Sequence, residues 1–127
     1  MCKRVDLMDF HNKILSALRK AKSFLETSID VGARKNLELF KDAIWHAAAE
    51  LEYALFFFSI KFQNENQLQK WKVNPKFKGA DLTSMLKEAR ELLSETEKST
   101  VNRNMLAAYE NAYLARHYVL KIQGNLA

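Results

Sequence analysis

An all-α fold, an antiparallel up-and-down four-helix bundle with one long loop, is predicted from three observations. Apolar residues recur at three- and four-residue steps in four separate segments. One proline and three glycines in 127 residues leave few places to break a helix. Residues 40–62 are apolar on nearly every side of one helix, and such a helix must be covered from several directions. The whole chain, 1–127, reads as a single domain, long enough for a full core without disulfides or metal.

Helix one is expected over 5–28, with Leu7, Phe10, Ile14, Leu18, Ala21 and Leu25 on one stripe. The stretch Ser28-Ile29-Asp30-Val31-Gly32 is the expected first turn, since Ser and Asp are ready caps and glycine tolerates unusual backbone angles. Helix two follows over 33–62. Residues 63–79 hold the only proline and no helical period, and form the long loop. Asp81 is placed to cap helix three, 82–97, with Leu82, Met85, Leu86, Ala89 and Leu93 in register. Ser99 or Thr100 is expected to end that helix and cap helix four, 101–123, before Gly124.

Within helix two, Phe56, Phe57 and Phe58 fan out over an arc of roughly 200°. One core cannot easily take all three rings. Either the loop folds back with Trp71 or Phe77, or a second subunit covers them, so these three are the expected interface of a homodimer.

Charge and composition narrow the chemistry. The only cysteine, Cys2, allows no internal disulfide and no cysteine-based cluster, which suits a cytoplasmic setting. The first residues carry charges where a secretory signal needs an apolar run. Residues 43–62 come nearest to a membrane span, but His46, Glu50, Glu52 and Lys61 interrupt them, and a charge at mid-span costs roughly 2.5–3.5 kcal/mol. No membrane association is expected. The histidines His11, His46 and His117 form no HExxH or ExxH pattern, so the zinc-protease and di-iron signatures are missing. His46 and Glu50 share a face but supply only two ligands, and a hydrogen-bonded histidine explains them more simply. With no glycine-rich phosphate loop and no GxSxG elbow, neither a cofactor nor a standard hydrolytic or nucleotide-dependent enzyme is expected.

The loop is the strongest polar candidate. Lys70, Trp71, Lys72, Lys76, Phe77 and Lys78 alternate cations with rings, a mixture that suits single-stranded nucleic acid: lysines meet phosphates and rings stack on bases. Residues 63–80 carry four lysines against Glu65, and residues 1–29 carry six basic residues against three acidic, so the formal net charge of +5 concentrates on helix one, the loop and helix four. Alternatively, Trp71 and Phe77 plug the end of the bundle and the lysines keep the loop solvated.

The start of helix four, Arg103-Asn104-Met105-Leu106-Ala107-Ala108, resembles the Arg-Asn-x-x-x-His stretch of HEPN-domain proteins, small helical bundles that include toxin ribonucleases. Residues 43–56 are similar to that family's long alanine-rich helix, residues 81–86 to the short helix after its loop, and residues 113–118 to the aromatic-basic ending of some members. The resemblance spans about 33–120 and departs at the decisive place, where Ala108 stands for the catalytic histidine. It implies a four-helix core, dimerisation, and contact with RNA or a partner protein. The functional expectation is therefore a non-catalytic helical binding module, RNA-associated through the loop. The alternatives are a degenerate HEPN-type ribonuclease using Arg103, Asn104 and His117 or His46, and a purely structural partner subunit.

Overall fold

A computed structural model of the chain describes residues 2–32, 35–61 and 81–126, with side chains from Phe10 in the first helix and as far as Ile60 in the second. Four helices account for nearly all of these: α1 (Cys2–Val31), α2 (Leu37–Lys61), α3 (Leu82–Val101) and α4 (Met105–Leu126). Strands are absent among the described residues, and the all-α bundle is the fold found. No described helix is long and apolar enough to cross a membrane.

Two helices run past their expected ends for one physical reason; in addition α1 starts at Cys2 rather than 5, α2 at Leu37 rather than 33, and α4 at Met105 rather than 101, continuing through Gly124 to Leu126. Ser28 does not turn the chain. Its buried Oγ donates to the Leu25 carbonyl at 2.8 Å, and Thr27 Oγ1 donates to that of Ser23 at 3.1 Å. Hydroxyls satisfied by the preceding turn let a helix continue. α1 therefore runs to Val31, and Gly32 (φ 74°) ends it by donating its N–H to the Ser28 carbonyl. Asn36 then opens α2, its Oδ1 accepting the Leu39 N–H at 3.0 Å.

The same back-bonding carries α3 past Ser99 and Thr100. Thr96 Oγ1 donates to the Leu92 carbonyl and Thr100 Oγ1 to that of Thr96, and both threonines are fully buried. α3 begins as the sequence predicts, with the Asp81 carboxylate accepting the Ser84 N–H at 2.7 Å. That hydrogen bond holds the Asp81 carboxyl below its ordinary range. α3 ends at a Schellman turn: Arg103 N–H donates to the Thr100 carbonyl and Asn104 N–H to that of Ser99. Arg103 occupies the left-handed position (φ 65°) that glycine usually fills. A left-handed residue with a Cβ costs about 1–2 kcal/mol. Arg103→Gly is therefore expected to raise stability by about 1 kcal/mol, because relief of the strain outweighs the extra freedom of the unfolded chain. An unchanged or lowered thermal midpoint would show that the arginine carries a compensating contact.

Every packed pair runs antiparallel, but the order around the bundle is not the order along the chain. α1 packs on α2 and α3, and α4 packs on α2 and α3. Phe10 meets Phe57 and Phe24 meets His46, which sets α1 against α2. Phe58 stacks on Tyr109 and Glu52 pairs with Arg116, which sets α2 against α4. The Asn102–Asn104 turn folds α4 back on α3. The ring thus reads α1, α2, α4, α3, with α2 and α3 diagonal and pointing the same way. Lys61 and Asp81 consequently lie at opposite ends of the bundle.

Ile14, Leu18, Leu25, Phe40, Ile44, Leu51, Phe58, Leu86, Leu93, Val119 and Ile122 form the buried core. Between them lie alanines that are almost wholly buried, among them Ala21, Ala47, Ala89, Ala112 and Ala115. Small side chains at the contacts let the helices approach closely.

Candidate functional site

The aromatic triplet is divided by the way α4 lies on α2. Phe58 is fully buried, its ring parallel to that of Tyr109 with centroids 5.3 Å apart. Phe57 is also inside, between Phe10 and Tyr53, with the Lys13 ammonium 5.6 Å above the ring. Phe56 alone faces out, 57% exposed. The chain thus buries two of the three expected interface rings by itself and leaves the third exposed.

Phe56 does not stand alone. Trp45 is 64% exposed, and Leu120 and Leu106 on α4 are exposed as well. Residues seven apart on a helix return to within about 20° of the same direction. Trp45, Glu52 and Ser59 therefore share one stripe of α2, with Phe56 beside it, and Leu106, Tyr113 and Leu120 share one stripe of α4. The two stripes flank a groove of about 370 Å³ lined by Glu52, Leu55, Phe56, Ser59, Tyr109, Tyr113 and Arg116. At its centre the Arg116 Nε donates to both carboxylate oxygens of Glu52, at 2.8 and 3.0 Å. This pair is half exposed, and such pairs contribute roughly 0.2–1 kcal/mol, so it serves mainly to fix two charges at the middle of an otherwise apolar face. Burial, and then the neighbouring Tyr113, raise the Tyr109 phenol above its ordinary value.

The catalytic candidates do not converge. Arg103 and Asn104 are exposed on the turn between α3 and α4. His117 lies twelve residues into α4, roughly 18 Å from its first turn. His46 stacks on Phe24 in the other half of α2, 3.5 Å from Asp42 rather than paired with Glu50. It lies twelve residues, again roughly 18 Å, from Phe58 at the Arg103 end. General acid–base chemistry needs these groups within hydrogen-bond reach of one another. Among the described residues, no group of three or more His, Cys, Asp or Glu side chains could hold a metal ion.

His117 has a structural consequence instead. Its Nε2 is buried without a hydrogen-bond partner, and its ring lies edge-on to Tyr113. Burial, and then Arg116, lower its pKa below the ordinary 6.5. The unfolded chain therefore takes up this proton first as pH falls. Stability should decline from about pH 6.5 down to the folded-state pKa and then level off. Urea midpoints at pH 7.5 and pH 5 should separate less in His117→Gln than in the parent. Equal separation in both proteins would remove His117 as a source of acid sensitivity.

A second groove, about 350 Å³, lies between α1 and α3 and is lined by Lys22, Ser94, Glu97, Lys98, Val101 and Asn102. Glu97 draws in Arg19 at 2.8 Å and Lys22 at 3.8 Å, so part of the positive charge read on helix one is paired at the surface of the fold. The loop candidates Lys70, Trp71, Lys72, Lys76, Phe77 and Lys78 lie outside the described residues.

The aromatic stripe is the feature that sequence reading missed. The seven-residue recurrence of 45, 52 and 59 against 106, 113 and 120 was the available signal. In comparisons with protein-family models, curated proteins and solved structures, nothing matches this chain.

Proposed function

We propose that this chain is a non-catalytic helical interaction module whose contact surface is the outer face of α2 and α4. One observation carries the reading: Trp45, Phe56 and Leu120, three large apolar side chains, stand exposed along two adjacent stripes while equally large ones fill the core. Exposed aromatic residues grouped on one face are the usual anchors of protein–protein contacts. The separation of Arg103 from His46 and His117 speaks against the degenerate ribonuclease.

Site-specific photo-cross-linking in native cells tests the proposal. A benzophenone side chain in place of Trp45 or Leu120 should form protein adducts, identifiable by mass spectrometry, that a probe at exposed Glu88 does not form. Adducts that are equal at all three positions would end the reading.

A second reading, contact with single-stranded RNA through residues 70–78, is favoured by the four lysines and two rings packed into nine residues. It engages a different part of the chain and is compatible with the first.

A further inference from the structure

We infer that the partner seated on the α2/α4 face is a second copy of this chain, related by a two-fold axis parallel to the helices. The inference rests on the interaction-module reading and commits it to an occupant and a geometry.

The argument begins with the placement of charge. The groove at the middle of the face carries one negative group, Glu52 on α2, and one positive group, Arg116 on α4, at the same height. Two copies can meet face to face about a two-fold axis in two simple ways. An axis across the helices puts α2 on α2 and α4 on α4, with Glu52 over Glu52 and Arg116 over Arg116. Juxtaposed like charges in an interface are strongly unfavourable. An axis along the helices puts α2 of one copy over α4 of the other. Each Glu52 then faces the partner's Arg116, and the two ion pairs become a closed ring of four alternating charges.

The apolar groups agree with the second arrangement. On one side of the Glu52–Arg116 pair lie Leu120, about 6 Å along the helix axis, and Trp45, about 10 Å along it; on the other side lie Phe56 and Tyr113, both within about 6 Å. With the axis along the helices, Trp45 lies within one turn, about 5 Å along the axis, of the partner's Leu120, and Phe56 covers the partner's Tyr113. The pairing is antiparallel, the same relation that α2 and α4 hold within one chain. The face measures roughly 35 Å by 20 Å, two helices side by side, or about 700 Å² per copy. A stable interface of ordinary size buries about 800 Å² on each side. The contact is large enough to hold a dimer, with aromatic anchors at both ends and the charges between them.

The test uses the full chain in two variants. Glu52→Arg leaves two positive groups on the face, and Arg116→Glu leaves two negative ones. Each alone is expected to weaken self-association at least about tenfold by sedimentation equilibrium. An equimolar mixture should recover dimers close to the parent's affinity, because each variant now supplies the sign the other lacks. Both variants lack the ion pair within the chain, and mixing does not restore it. Recovery can therefore arise only from contact between copies. Circular dichroism of each variant confirms that it is folded, and Trp45→Ala, which leaves the charges intact, should also weaken the dimer about tenfold. A parent that stays monomeric across the micromolar range, or a mixture that associates no better than its components, would overturn the inference. If the parent is monomeric but its position-45 probe captures a different protein, the two-fold pairing is wrong and the interaction-module reading stands. If the probe captures nothing, both fall.

Discussion

Phe58→Ala is expected to cost about 3–5 kcal/mol, the largest loss at any one position of the triplet, whereas Phe56→Ala two residues away should leave the folded monomer within about 0.5 kcal/mol of the parent. The contrast follows from position alone. Phe58 is fully buried, and its truncation opens a void against Tyr109 that backbone packed through alanines is poorly placed to close. Domains of this size are stable by roughly 5–15 kcal/mol, so the variant gives up a large fraction of its margin. Phe56 is 57% exposed and gives up little within its own chain. Urea titrations at a concentration where the parent is monomeric should show a large drop in midpoint for Phe58→Ala, with the slope retained, and almost none for Phe56→Ala. Equal effects would mean that the two rings share one environment.

The loop reading leads to the second large effect. Changing Lys70, Lys72, Lys76 and Lys78 together to serine should remove most of the affinity for single-stranded RNA. Four neutralised phosphates contribute a slope of about −2.8 in log affinity against log salt, so a fourfold rise in salt should weaken the parent roughly 50-fold more than the variant. Removing a stacked ring, Trp71 or Phe77, should cost roughly 1–3 kcal/mol per base. Nonspecific attraction to a chain of net charge +5 is the effect to exclude. An equal charge loss at Lys13, Arg19, Lys20 and Lys22 is the control, and the fold makes it a demanding one. Arg19 and Lys22 share one carboxylate, Glu97, and the Arg19 side chain is still 59% exposed, so these cations keep positive charge to offer a phosphate. Undetectable affinity in the parent, or an equal fall in both variants, would leave Trp71 and Phe77 as an end-plug and nothing more.

The four helices were legible because periodicity is a local property, and Asp81 could be named as a cap for the same reason. The late ends of α1 and α3 share a cause. Ser28 and Thr100 are residue types that stop helices when their hydroxyls seek the backbone ahead of them and prolong helices when they turn back to the preceding carbonyls. Which of these happens depends on burial, and burial depends on the neighbouring helices. The order around the ring was hidden because no stripe on α1 says whether α3 or α4 will lie against it. The triplet was half readable. Three successive rings cannot share one face, but the one left outside was decided by where α4 crosses, through Tyr109 and Arg116. Trp45 illustrates the limit most plainly, since an exposed tryptophan and a core tryptophan are the same letter in an apolar helix.

The ring order has a mechanical consequence. With α2 and α3 diagonal, the molecule is two hairpins laid side by side, each closed by a short turn at one end, and the heaviest packing lies within the hairpins rather than between them. Contacts close in sequence form quickly and cost little closure entropy. Each half can therefore assemble on its own timetable, and covalent continuity between them serves chiefly to keep the halves at high local concentration. A chain cut between Lys61 and Asp81 should behave as a two-part kit: co-expressed pieces would find each other through the apolar faces they leave bare. The gene could thus be divided there, for two-part reporter fusions, with the bundle itself intact.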